Sequence, residues 1–407
     1  MNLAIGLNRL GHQVFVHSLD PRPAANREQL VAQLEQATIP VSFGHKSWTG
    51  WPNRAQISHL AACFRQDAIE VAASFLVRAN LATVLAGRRN RSNSPNGSRQ
   101  FPVVLGFRQA EPRFLVRSIE QWCRKRASAT VCVSRQVAQH YVGPLPPLAP
   151  NKLHTNRTGQ VLVIPNGVGI PQPPVCVPPV LLDCFGPRAQ TKPGDSLPVL
   201  LFVGRLTEQK GLDQLLSLTP AILRQLPEFR LVIVGQGPLE HSLRTQAARL
   251  ECHDRIHFLG WQANPLDFIQ ASRIVLLHSR WEGQPNAILE AMSLAKPFVA
   301  IETHGLADIF HPELVRSAPS QPTTQLDPQN PSNHVDLTLA RQSQVVASGN
   351  PQAFIDAVVA LARAPEMAQN IGIWNQTHVQ NHFSTDRFVS AYEQVFLKLA
   401  NACQHPL

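Results

Sequence analysis

Three loops of this sequence carry residues whose type and spacing suit phosphate and sugar chemistry. In PVLLFVGRLTEQKGLDQLL, the apolar run Val199 to Val203 is followed by Gly204, then by Arg205 and Lys210, with a helix opening near Gly211. Two fixed cations beside the free N–H groups of a helix start make a diphosphate site. A surface loop with two basic residues is commonplace, so this pattern is weak by itself. In RLVIVGQGPLEHSL, Gly235 and Gly237 directly follow an apolar run. They miss the dinucleotide fingerprint G-x-G-x-x-G because Glu240 stands where the third glycine would permit close helix–strand packing. A tight strand-to-helix turn is the better reading there. The richest segment is SRWEGQPNAILEAMSLAKP, after the run Arg273 to Leu277. Glu282 and Gly283 sit in a loop closed by the turn-formers Pro285 and Asn286, and a helix is expected through about Ala295. Glu290, four residues past Asn286, lies on the helix face that looks back at that loop. The arrangement offers backbone N–H groups to phosphate oxygens and one carboxylate able to accept two ribose hydroxyl protons. An ordinary amphipathic helix with two solvent-exposed glutamates would give the same pattern.

Positioning such loops requires strands that alternate with helices. Both halves of the chain show that alternation, which argues for parallel α/β domains. In the first half, HQVFVHS, FPVVLGF, ATVCVS and QVLVIP are short β-branched runs. RSIEQWCRKRAS between them is amphipathic, with Ile119, Trp122 and Cys123 on one face and Arg117, Arg124 and Lys125 on the other. Asn2 to Leu10 reads as a helix with Leu3, Leu7 and Leu10 on one stripe and Gly11 as its stop, followed by a strand Gln13 to His17. In the second half, Ile288, Leu289 and Met292 should pack on a sheet. The end of the chain is helical only, through NPQAFIDAVVALARA, EMAQNIGIWNQTHVQNHF and STDRFVSAYEQVFLKLANA. A length of 407 residues exceeds one compact core and implies two domains. The expected division is residues 1–170, a Pro-rich linker 171–197, a second domain 198–384 and a C-terminal helix 385–407. Arg88 to Arg99 and Ser317 to His334, rich in Ser, Asn and Pro, are expected as surface loops.

At the second-half motifs the sequence resembles a known family. Glu282 and Glu290, separated by seven residues inside EGQPNAILEAM, resemble the signature of family 4 glycosyltransferases, retaining enzymes with the GT-B fold. FVGRLTEQKGLDQLL, VIVGQGPLEHSL and IHFLGWQANPLDFIQASRIVLLHSRWEG stand in the order such enzymes show, while VCVSRQVAQHY and VIPNGV resemble the last strands of their acceptor domain. The resemblance implies two Rossmann-like domains facing a cleft, with C-terminal helices crossing back to the first. It implies that Arg205 and Lys210 neutralise a donor diphosphate and that Glu290 holds the ribose hydroxyls. Gly283, Gln284, Asn286 and Ala287 would line the pyrophosphate and sugar. Glu282 would contact the transferred sugar as the catalytic carboxylate. Gly235, Gly260 and Trp261 would flank the nucleobase. No cofactor is implied beyond the nucleotide-diphosphate sugar itself. Two cations can stabilise the departing diphosphate without metal, and no D-x-D triplet occurs in the sequence, so no metal is expected.

The chain departs from the family pattern at four places. Ala295 stands where the family usually has Gly, His304 sits in a THGLAD turn where Gly or an acidic residue is common, and Arg78 stands where His is frequent. The family's first strand and Gly-rich loop are not in this sequence. The expected function is therefore sugar transfer, with retention, from a UDP- or GDP-type donor to a lipid-linked, polysaccharide or other glycan acceptor. The alternative is a non-catalytic nucleotide-sugar-binding remnant or a truncated inactive fragment.

Charge bears on partners. Residues 1–190 hold 21 Lys/Arg and 8 Asp/Glu, net +13, whereas residues 191–407 hold 16 and 19, net −3. The basic front half suits an anionic membrane face, although a solvated arginine-rich surface is equally compatible. Nucleic acid is not expected, because the basic residues are not interleaved with aromatics. No apolar run reaches the roughly 18–20 residues of a membrane span and no charged-then-apolar leader opens the chain. The expected location is cytoplasmic, peripheral on the inner face of the membrane. Seven scattered cysteines without a CxxC spacing read as reduced, mostly buried thiols.

Overall fold

The structure, a computed structural model, describes residues 1–23, 28–44, 50–92, 101–110, 113–143, 154–156, 159–169, 177–185, 196–310 and 337–404. The chain divides into two compact units, one of Met1–Gly167 with Thr385–Leu407, the other Val168–Ser384.

The first unit holds a parallel pair, β1 (Val16–Ser18) and β2 (Val41–Phe43), and a five-stranded sheet. That sheet runs β3 (Ala72–Phe75), β4 (Val103–Phe107), β5 (Ala129–Cys132), β7 (Gly159–Val163), β6 (His154–Asn156); only the β6–β7 pair is antiparallel. Strands β4 and β5 are buried at every position, as expected of parallel strands covered on both faces. The opening helix Asn2–Arg9 and the last helix Thr385–Gln404 both belong to this unit. Gly6 lets them touch, since a Cβ there would come 2.3 Å from Val389, and His12 pairs with Glu393 at 2.7 Å.

Several details differ from the sequence-based expectations. Strand β1 covers only Val16–Ser18, and Leu10 is exposed although Leu7 is buried. The helix Val77–Ser92 runs through the start of the expected Arg88 to Arg99 loop, whose remainder lies outside the described residues. On the helix Phe114–Arg124, Arg124 is buried beside Cys123 rather than on the solvent face. The same helix buries Glu120, which accepts the Tyr141 hydroxyl proton, so a polar contact is carried into the core. Of the described cysteines, Cys123, Cys132 and Cys252 are buried, while Cys63, Cys184 and Cys403 are half-buried.

The second unit has six parallel strands in the order β10 (Ile256–Gly260), β9 (Arg230–Val234), β8 (Val199–Val203), β11 (Ile274–Leu277), β12 (Phe298–Ile301), β13 (Val345–Val346). Counted along the domain this is 3-2-1-4-5-6, the doubly wound nucleotide-binding order. The helix Leu212–Gln225 buries Leu212, Leu215, Leu216, Thr219, Ile222 and Leu223, an apolar stripe at helical spacing. Part of the expected linker belongs to this domain. Pro179, at the first turn of a short helix Pro179–Asp183, fixes a helical φ, and Leu181 is fully buried against the sheet. The helix Leu337–Gln344 was not legible as such, whereas the helices Pro351–Arg363 and Pro365–His382 match the periodic segments read from sequence. Asn375 of the last of these bonds Gln344 and the Lys296 carbonyl at 2.8 and 3.0 Å, fastening it to the start of β12. The expected loop Ser317 to His334 lies outside the described residues. Among the described residues no helix is long and apolar enough to cross a membrane.

Candidate nucleotide-sugar site

In the second unit the strand order reverses between β8 and β11, and ligands of doubly wound sheets sit outside the carboxyl ends of the strands at that point. The loops after these two strands are the ones that carry Lys210 and Glu282. Gly211 makes their approach possible. It has φ of +59°, and a Cβ there would lie 2.1 Å from the His278 carbonyl oxygen of the other loop. Four further contacts lock the loops together. The Arg280 N–H donates to the Gln209 carbonyl at 2.8 Å, and Gln209 Nε2 donates to the Trp281 carbonyl at 3.0 Å. Arg280 grips the Asp213 carboxylate through both terminal nitrogens at 3.0 and 2.6 Å. At the centre, Lys210 Nζ donates to Glu282 Oε1 at 2.5 Å.

Glu282 is buried, so the reading of two solvent-exposed glutamates is set aside. Its Oε1 also accepts the Ser279 hydroxyl at 2.7 Å, and Gln209 Nε2 lies 3.5 Å from Oε2. A buried carboxylate held by an ammonium and a hydroxyl is neutralised without a ligand. Arg205 is different. It is exposed, and among the described residues its guanidinium has no hydrogen bond or ion pair. The same loops thus present one cation already matched and one left for solution.

The loop after β11 continues through buried Gly283, Gln284 and Pro285 into the helix Asn286–Ser293, two residues shorter than read from sequence. Asn286 is exposed and Ala287 half-buried at its open end, while Ile288, Leu289 and Met292 are fully buried against the sheet. Glu290 is largely covered, and burial pushes its carboxyl up from the usual glutamate range to about 7. Its side chain makes no hydrogen bond or ion pair among the described residues. Gly305 brings the short helix His304–Ala307 onto this loop, since a Cβ there would come 2.1 Å from the Gly283 carbonyl oxygen. His378 holds the following residue pair, donating to the Ile309 carbonyl at 2.7 Å.

The loops after β9 and β10 complete the edge. Gly235 has φ of +140°, and its Cβ would meet the Gly204 carbonyl at 1.9 Å; Gly237 would meet the Leu206 carbonyl at 2.3 Å. Both glycines therefore serve close packing of the β9 loop on the β8 loop, the tight-turn reading. Glu240 is not crowded against the sheet; it pairs with Arg244 at 3.0 Å. The Gly235 N–H donates to the Gly260 carbonyl at 2.7 Å, and Trp261 next to it is 37% exposed. At a strand spacing of about 4.8 Å, β10 lies roughly 10 Å from β8. All the positions named from sequence thus fall on one sheet edge, in the order Gly260, Trp261 and Gly235, then Arg205 and Lys210, then Glu282 to Glu290. Sequence reasoning missed Ser279, Gln209 and the Arg280–Asp213 pair. Ser279 could have been found from its place three residues before Glu282; the Arg280–Asp213 contact spans 67 residues and leaves no local signal.

Comparison with known proteins agrees with this architecture. The family description "Glycosyltransferase Family 4" matches residues 1–170, and "Glycosyl transferases group 1" matches residues 187–317. An uncharacterized glycosyltransferase of Methanocaldococcus jannaschii is 35% identical over 117 residues, 28% of this chain and 29% of its own length. The UDP-Gal:alpha-D-GlcNAc-diphosphoundecaprenol alpha-1,3-galactosyltransferase of Escherichia coli is 33% identical over 110 residues, 26% of this chain and 28% of its own. The matched region thus spans under a third of the length of these curated relatives. The crystal structure of Anabaena Alr3699/HepE in complex with UDP-glucose superposes with a TM-score of 0.68 at 15% identity, covering 95% of this chain and all of that one. With one family description on each unit and two Rossmann-like sheets in this order, the chain belongs to the family 4 glycosyltransferases and has the GT-B fold.

Proposed function

We propose that the protein transfers a sugar, with retention, from a UDP- or GDP-type donor to a lipid-linked, polysaccharide or other glycan acceptor. The observation that carries this reading is the Lys210–Glu282 pair at 2.5 Å beside an unmatched Arg205 on the switch-point edge. A donor diphosphate placed there meets Arg205 first and competes with Glu282 for Lys210. Exchange of one carboxylate for a diphosphate keeps the ammonium matched, so little charge is stranded at any stage. It also frees Glu282 toward the sugar. As the glycosidic bond to phosphate breaks, negative charge grows on the leaving diphosphate, and the two cations already drawn to it on binding stabilise that charge. Glu290, from the helix behind, accepts hydroxyl protons of the ribose. These cations take the role that a metal fills elsewhere, so turnover is expected to survive EDTA, and its loss on chelation would overturn that part.

The donor test is a thermal-shift panel of UDP, GDP, ADP and their sugars. A nucleotide at 100 times its Kd adds about 2.7 kcal/mol, and absence of any response would overturn the reading. Glu282→Gln keeps the side-chain volume and should retain nucleotide binding while donor turnover falls about 100-fold or more. Unchanged turnover would remove Glu282 from the reacting centre. Retention is checked by the anomeric configuration of the first-formed product in proton NMR.

A further inference from the structure

The first unit also has a carboxyl edge, and its charge there is not balanced. Arg108 follows β4 directly and is partly buried. Its guanidinium lies 4.6 Å from the centroid of the Phe75 ring, the last residue of the neighbouring strand β3. Gly106 makes that arrangement possible, because a Cβ there would come 2.2 Å from the Phe75 ring. One terminal nitrogen donates to Asn166 Oδ1, just beyond the end of β7. Both holders are neutral. Arginine carries five N–H donors and keeps its charge at all accessible pH, yet among the described residues no carboxylate pairs with this one. At the end of β3, Arg78 repeats the pattern. Among the described residues its Nε is buried without an acceptor, and its one ion pair is a 3.4 Å contact with the exposed Asp20.

We infer that Arg108, oriented by Phe75 and Asn166 at the carboxyl edge of the first unit's sheet, is an anion site that grips a phosphate or carboxylate group on the acceptor. The inference rests on the glycosyl-transfer reading above and narrows its acceptor to one bearing such a group. A partly desolvated guanidinium with no paired carboxylate among the described residues is costly, and an incoming oxyanion supplies both the charge and the paired acceptor geometry that the fork fits. A neutral sugar hydroxyl would supply neither. The aromatic face and the amide carbonyl hold the guanidinium in place without consuming its charge, which is what a ligand site requires and a structural ion pair does not. Arg78, one strand over, adds a second cationic group to the same edge.

The test is titration of inorganic pyrophosphate and, separately, of glucuronate into the full chain held at saturating UDP, read by thermal shift. One of the two anions should stabilise the wild type, pyrophosphate indicating a phosphate-bearing and glucuronate a carboxylate-bearing acceptor. Arg108→Gln should weaken that anion at least tenfold while leaving the UDP response unchanged. Asn166→Asp places a carboxylate against the guanidinium; it should raise the melting temperature yet abolish the anion response, and it decides the matter if Arg108→Gln does not fold. An equal response in wild type and variants, or no response to either anion in the wild type, would overturn the site. Should UDP itself fail to bind, the donor reading falls, while the comparison of wild type with Arg108→Gln still decides the anion site.

Discussion

At the residue scale the carboxylates of the second unit differ in a way their letters conceal. Glu282 is buried but matched by Lys210 and Ser279, whereas Glu290 is largely covered, has no hydrogen bond or ion pair among the described residues, and is lifted to about 7. The consequence for stability follows from proton counting. Between the unfolded value near 4.5 and the folded value near 7 the native chain binds more protons than the unfolded one, so stability contributed at Glu290 is present below about pH 4.5 and is lost as pH rises to 7. Glu290→Gln should therefore be more stable than wild type at pH 8, by about 2–3 kcal/mol, and should flatten the stability profile over that window in urea titrations. In the proposed donor complex the ribose hydroxyls donate to the ionised Glu290 carboxylate, so binding would run the opposite way. UDP affinity of the wild type should fall as pH drops below about 7, with proton release on binding near that pH, and calorimetry in buffers of different ionisation enthalpy checks it. A pH-independent affinity would detach Glu290 from the ribose.

At the scale of elements, the site depends on backbone positions that only certain residues can occupy. Gly211 combines a left-handed φ with a Cβ path blocked by the His278 carbonyl. Gly211→Ala should cost about 2 kcal/mol or more in denaturant unfolding and separate Lys210 from Glu282. The converse case is Ala295, which ends the turn after the helix Asn286–Ser293 at φ of +54°. Its carbonyl is pressed by Gly372, whose Cβ would lie 2.0 Å away. Here Ala295→Gly should relieve a left-handed alanine and raise stability by up to about 1 kcal/mol, the gain being trimmed by the added freedom of the unfolded chain. An unchanged or lowered melting temperature would refute this. The departure at Ala295 was visible in the sequence, but its cost depends on a φ angle that no sequence pattern states. The same limit explains the short helix Pro179–Asp183. Proline density announced a linker, and the burial of Leu181 against the sheet, a tertiary contact, outweighed it.

At the scale of the whole molecule, the first unit, residues 1–167 and 385–407, holds 22 Lys/Arg against 9 Asp/Glu, net +13, and also exposes large apolar side chains. Phe114 and Leu115 open the helix Phe114–Arg124 with 79% and 75% of their surface exposed. Exposed aromatic and aliphatic side chains on a basic surface suit the interface of an anionic membrane, where each nearby cation contributes about 1 kcal/mol. The protein should pellet with phosphatidylserine liposomes at low salt and be released at about 0.5 M salt, where screening is short-ranged. Phe114→Ser with Leu115→Ser should weaken pelleting at low salt, and no pelleting by the wild type would overturn the membrane-face expectation drawn from the charge. What the sequence determined by itself was the parallel α/β class, most strands, the terminal helices and the loops that place Arg205, Lys210, Glu282 and Glu290 at the ends of strands, because apolar periodicity and turn chemistry act over a few residues. What only the tertiary structure decided was which of those groups are matched and which are not. Lys210 meets Glu282 across 72 residues, Arg280 meets Asp213 across 67, and Arg108 meets no carboxylate among the described residues. Burial and long-range pairing depend on which loops the strand order brings side by side, and the strand order is set by packing of the whole sheet rather than by any local run of residues.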